Sequence, residues 1–284
     1  MQIELSPDFF QNLVPFEACN ARVIDRLNSL ESNEELVRFF ARYASWNGQF
    51  ANGVSALTAL IGEKRELFME KGLPRSVADR SNFIASYFFD AARDEYDDHV
   101  NPGRDSHRCM AQASLLGMAE ILGTALDVLD EEDPFELRAV NDAVRPGYTG
   151  IPAIRLGTVE QIFYAMGFHL GSELLADREF SIIDDFLRTN HHDLVQQLMR
   201  KKILLAGAEH RCYAWVGVHS GHGDGVEADH FDFAISGVKE ALRYLDSAYE
   251  ARALGGLKDG FRAFADHHGE FFKISAKGNK TMTA

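Results

Sequence analysis

TVEQIFYAMGFHLGSELL, residues 158–175, decides the fold. Val159, Ile162, Phe163, Met166 and Leu170 recur at three- and four-residue steps, which places them on one face of a helix and marks that face as buried. Glu173 continues the same stripe. An isolated ionised carboxylate in an apolar interior costs several kcal/mol or more. Glu173 therefore calls for neutralisation, hydrogen-bond partners or a metal ion.

Helical periodicity of this kind runs from one end of the chain to the other, and no alternating apolar-polar run bounded by hairpin turns interrupts it. The expected fold class is all-α. Helices are expected over 33–66, 74–98, 105–129, 133–144, 158–175, 178–190, 193–206, 209–219, 226–252 and 257–272, after two short opening segments. Pro74 and Pro134 stand at first-turn positions, residues 99–103 and 146–152 break the pattern, and a glycine-rich interruption covers 220–225. About ten helices with short connections suggest one bundle of two layers. The chain is read as a single domain over 1–284, with 275–284 a flexible tail.

Composition narrows the function classes. A net charge of −14 argues against a polyanionic partner, because nucleic-acid affinity depends on Lys and Arg neutralising phosphates. No apolar run approaches a membrane span, and the first residues lack a basic start followed by an apolar stretch, so a cytoplasmic protein is expected. Cys19, Cys109 and Cys212 are too few and too scattered for a disulfide framework or a thiolate metal site.

The partners for Glu173 are sought on other helical stripes. Ile84, Phe88, Ala91 and Glu95 follow a four-three-four stepping. Twelve residues later His107 heads the stripe Ala111, Ser114, Met118, Ile121. Cys212, Trp215, Val216 and His219 share a face, and Glu227, His230, Ala234, Val238, Ala241 and Leu245 share another. Three histidines and three carboxylates without thiolate suit iron or manganese, and glutamates projecting into a helical core are how bundle proteins hold two such ions. His99 rivals His107, and His222 rivals His219. His169, one turn before Glu173, is a supporting partner or an alternative ligand. The doublets His191-His192 and His267-His268, together with His210, read as surface residues.

At these residues the chain resembles the haem-oxygenase-like diiron oxidases, also known as iron-containing redox enzymes. DEYDDHVNPGRDSH (94–107) is similar to that family's first ligand pair, which maps Glu95 and His107. MGFHLGSELL (166–175) resembles the stretch in which a glycine precedes the third-helix ligand by six positions, as Gly167 precedes Glu173. HSGHGDGVEADHFDFA (219–234) is similar to a helix carrying His, a carboxylate and a second His, here His219, Glu227 and His230. Two departures stand out. The first pair is spaced by twelve instead of about ten. His219 and Glu227 are eight apart instead of four, which on an unbroken helix leaves them about 80° apart and requires a break between them.

The resemblance implies a haem-oxygenase-like bundle with a buried metal or ligand pocket, two Fe(2+) per chain, O2 as co-substrate and a small amine- or carboxylate-bearing substrate. It also implies a possible homodimer and a possible electron donor. Tyr87, Phe88, Phe163, Tyr213 and Trp215 are candidates for the substrate lining, with Arg93 and Arg211 as candidate carboxylate anchors. Two other readings remain open. One is a cofactorless helical enzyme, resembling thiaminase-like and pyrroloquinoline-quinone-forming proteins, that uses pocket histidines and carboxylates for acid-base work. The other is a non-enzymatic interaction protein in which Glu95 and Glu173 are exposed and far apart.

Overall fold

Helix formation follows the apolar stripes, and its breaks follow glycine, proline and capping side chains. The computed structural model describes residues 5–96, 105–220 and 226–275, with only the backbone of 226–229. His99 and His222, the two rival ligands, lie outside the described residues, as do positions 276–284 of the expected tail.

The chain opens with α1 (Pro7–Gln11) and α2 (Phe16–Asn28). The stretch expected as one helix over 33–66 is two, α3 (Asn33–Asn47) and α4 (Phe50–Glu63), interrupted at Gly48-Gln49. Ser32 caps α3 by accepting from the Glu35 N–H. Pro74 starts only the four-residue α5 (Arg75–Ala78). The Asp79 carboxylate then accepts from the Ser81 N–H at 2.9 Å and restarts the chain as α6 (Ser81–Asp94). After α7 (His107–Leu122) come α8 (Phe135–Tyr148) and α9 (Thr158–Asn190).

Two expected helices, over 158–175 and 178–190, are thus the single 33-residue α9. No glycine or proline falls between Ser172 and Asn190, and the apolar face continues through Phe180, Ile183 and Leu187. α10 (His192–Arg200) follows.

The next segment departs from an all-helical reading. β1 (Lys202–Leu205) and β2 (Ala208–Arg211) pair antiparallel, where helices had been expected over 193–206 and 209–219. Ala206 and Gly207 both take positive φ, 49° and 85°, which is the tight two-residue turn that matches strand twist. The fold is nonetheless mostly helical. α11 (Ala214–His219) is short. α12 (Val226–Tyr244) ends before a 3-10 turn at Ser247–Tyr249, and α13 (Glu250–Ile274) closes the described chain.

α9 is the central element, packing against α2, α4, α8, α10, α11, α12 and α13. Its contact with α13 is close enough to need glycine on both helices. A Cβ on Gly167 would overlap the Leu257 carbonyl oxygen, and one on Gly260 would overlap the Tyr164 carbonyl. The side chains opposite that seam, Glu173 among them, face α6, α11 and α12. No helix among the described residues is long and apolar enough to cross a membrane.

Candidate metal centre

A small cavity of about 20 Å³ lies where these helices converge. It is lined by Glu95, His107, Glu173, His219 and His230, with Asn47, Phe50, Val54, Ala91, Tyr148, Ser172 and Ala176 completing its wall. Five of the six ligands expected from sequence therefore share one interior space. Glu227 sits in the first turn of α12, and its side chain lies outside the described residues.

Each of the five is placed by a helix end or a helix face. Glu95 is the C-cap of α6. His107 is the first residue of α7, fixed there by Ser106, which accepts from the Cys109 N–H at 3.1 Å. The hairpin packs near the same end, where His210 Nδ1 lies 3.1 Å from Asp105 Oδ2. Glu173 projects from the middle of α9, His219 is the last residue of α11 and His230 lies on α12. His219 and His230 are buried, Glu173 nearly so, and Glu95 and His107 partly.

The donors form two groups. In the first, His107 Nδ1 lies 3.2 Å from Glu95 Oε2 and 3.4 Å from His219 Nε2. His219 Nδ1 is 2.6 Å from the Trp215 carbonyl oxygen, which accepts only. The ring proton is therefore on Nδ1, and the Nε2 lone pair faces His107. A backbone carbonyl fixing one imidazole nitrogen so that the other is free to ligate is the usual outer support of a metal-bound histidine.

In the second group, Glu173 lies between two rings, with Oε1 3.2 Å from His169 Nδ1 and Oε2 3.6 Å from His230 Nδ1. His230 Nε2 is 3.1 Å from Asp94 Oδ2. Tyr148 and Ser172 line the wall beside it. The Ser172 hydroxyl has one proton, which goes to the His169 carbonyl at 2.7 Å, so the 2.7 Å bond to Tyr148 is donated by the tyrosine.

The donor types and spacings suit divalent ions of the first transition row. Ligands about 2.1 Å from a common ion lie roughly 3.0–3.4 Å from one another, as do His107 and Glu95 at 3.2 Å, His107 and His219 at 3.4 Å and His169 and Glu173 at 3.2 Å, while Glu173 and His230 are 3.6 Å apart. Oxygen and imidazole nitrogen without thiolate favour iron or manganese over softer ions. The described donors nevertheless meet as pairs and short chains. Among the described residues no three His, Cys, Asp or Glu side chains already surround a common point as a metal would require.

Several sequence expectations change. His219 faces His107 and Glu95, whereas it had been grouped with Glu227 and His230. Asp94 enters the site although sequence reasoning passed over it, even though it stands three residues after Ala91 on the α6 face just as Glu95 stands four. None of the expected substrate-lining residues Tyr87, Phe88, Phe163, Tyr213 and Trp215 lines the cavity. Phe88, Phe163 and Trp215 are fully buried core. Arg93 is exposed and reaches Asp90 and Asp94, and Arg211 is exposed on β2.

The doublet His267-His268 is not a surface feature. His268 is buried and lies 2.7 Å from Glu179, which also accepts from the Tyr43 hydroxyl at 2.5 Å. The signal was present, since Phe261, Phe264, His268, Phe271 and Phe272 keep helical steps on one face. His210 is likewise buried, on β2.

Comparison of the chain with family models, with characterised proteins and with solved structures finds no significant match in any of the three.

Proposed function

We propose that the chain is an O2-activating non-haem diiron oxidase acting on a small amine- or carboxylate-bearing metabolite. The observation that supports this reading is the convergence of Glu95, His107, Glu173, His219 and His230, chosen from sequence on five separate helical stripes, around one cavity. In the first group the approach distances, 3.2 and 3.4 Å, are those of ligands about a common ion, and in the second Glu173 and His230 stand 3.6 Å apart. Glu95, His107 and His219 would hold one ion. Glu173 and His230 would hold the other, with His169 and, from the resemblance, Glu227 as further donors, and with Asp94 holding the far nitrogen of the His230 ring.

Two ferrous ions there would supply the electrons that reduce O2. The remaining work belongs to the protein. The Trp215 carbonyl keeps the His219 Nε2 lone pair directed inward. Phe50, Val54, Ala91 and Ala176 form the apolar part of the wall, and burial of the charged groups beside them strengthens the interactions among those groups. A cavity of about 20 Å³ holds one or two water-sized groups, so a metabolite enters only with displacement of the wall. The substrate class rests on the resemblance alone.

Three histidine–carboxylate pairs also favour a second reading, a cofactorless acid-base enzyme. His107–Glu95, His169–Glu173 and His230–Asp94 are each within 3.2 Å, the reach that proton transfer needs. The interaction-protein reading draws no support, because Glu95 and Glu173 line the same cavity.

Anaerobic addition of ferrous iron to purified protein, followed by a metal count and admission of air, separates the first two readings. The diiron reading predicts about two irons per chain, fewer in Glu173→Ala, and a transient visible absorption band after air. Absence of binding by the wild type overturns it and leaves the acid-base enzyme.

A further inference from the structure

Asp184 lies on α9 eleven residues beyond Glu173, is fully buried, and is not part of the cavity wall. Its carboxylate takes hydroxyl donors from both ends of α11. The Tyr213 hydroxyl, from the residue just before the helix, donates to Oδ1. The Ser220 hydroxyl, from the residue just after it, donates to Oδ2 at 2.9 Å. Arg188, one turn further along α9, donates its Nε–H to Oδ1 at 2.8 Å and lies over the Tyr213 ring at 5.6 Å. Three donors, one of them the Arg188 guanidinium, meet the buried carboxylate, so its burial is matched by hydrogen bonds. Burial first, and the carboxylate second, push the Tyr213 hydroxyl well above its ordinary pKa, so it remains a donor.

α11 needs such an anchor. Six residues are too few to hold a helix by backbone bonding alone, and the chain that follows is Gly221-His-Gly-Asp-Gly225. The bond from His219 Nδ1 to the Trp215 carbonyl orients the ring within α11, but says nothing of where α11 sits relative to α9 and α7. The Asp184 contacts supply that second constraint, tying the helix at both ends to the same rigid element that carries Glu173.

We propose that Asp184 is the positioning residue for His219, a buried carboxylate that clamps both ends of α11 and thereby sets where the His219 ring meets His107. Its importance for activity rests on the reading of His219 as a ligand. The clamp itself acts in the metal-free protein and is tested there.

Nitrogen-15 histidine labelling of metal-free protein, with long-range ring correlation spectra, reads the imidazoles one by one. Wild type is expected to show His219 as a single Nδ1–H tautomer. In Asp184→Ala, and in the double variant Tyr213→Phe, Ser220→Ala that leaves the carboxylate and Arg188 in place, the His219 ring signals move and its proton contacts with the His107 ring weaken, while His230 and His268 keep their signals. An unchanged His219 pattern in either folded variant overturns the clamp, and equal movement of all three histidines overturns its specificity. Cobalt(II) titration then tests the consequence. Affinity is expected to fall roughly 10–100-fold in Asp184→Ala, with little further loss when His219→Ala is added but a full additional loss with His230→Ala. Additive loss with His219→Ala contradicts a role exerted through that ring. Wild-type protein that takes up no cobalt counts against the metal reading, while the ring spectra still decide the clamp.

Discussion

At the scale of single residues, specific partners hold several of the polar groups in the interior. Trp46 donates its indole N–H to His267 Nε2 at 2.9 Å, a bond that protonation of that nitrogen would abolish. Burial, reinforced by the neighbouring His268, lowers the His267 pKa to about 4 from an ordinary 6.5. The sign of the consequence is fixed. As pH falls below 6.5 the unfolded chain takes up this proton while the folded one does not until about pH 4, so stability is lost across that window, by at most about 1.4 kcal/mol per pH unit. Chemical denaturation at a series of pH values should show this slope in wild type and a shallower one in His267→Gln. Equal slopes would contradict the assignment. Glu173 was legible because a charge broke an apolar stripe. Asp94 was not, because the stripe of Ile84, Phe88 and Ala91 can be continued by a three- or a four-residue step, and the four-residue step to Glu95 was taken. Glu179 and His268 could have been found by the Glu173 argument, had the adjacent pair of histidines not suggested a solvated surface.

At the scale of elements, apolar periodicity located the helical stretches well and their interruptions poorly. Period alone does not distinguish one long helix from two packed end to end. The break at Gly48-Gln49 and the Asp79 cap turned expected long helices into shorter ones, and the absence of any breaker after Ser172 did the reverse for α9. The β1–β2 hairpin escaped notice because its strands are only four residues each. Gly167 was read as part of a motif spacing, and its physical role is the seam between α9 and α13. Substituting alanine there has two opposed effects. Helix propensity favours alanine by up to about 1 kcal/mol. The new Cβ meets a backbone carbonyl that cannot rotate away, and overpacking of that kind costs about 1–3 kcal/mol. The steric effect wins, so Gly167→Ala should lower the urea midpoint. At Gly255, where a Cβ meets nothing within 4 Å, alanine should not lower it.

At the scale of the whole molecule, the helical class and five of the proposed ligands emerged from stripes and from a family resemblance. The grouping of those ligands did not, because it depends on how α6, α7, α9, α11 and α12 meet, and sequence periodicity carries no information about angles between helices. The chemistry proposed here depends on the two donor groups, one around His107 and one around Glu173, each holding an ion. Iron-edge anomalous diffraction from crystals soaked anaerobically in ferrous salt tests it most directly. Two peaks about 3.5–4 Å apart are expected, one against Glu95, His107 and His219 and the other against Glu173 and His230. A map with no peak in this cavity, or with iron only at surface carboxylates, would contradict it.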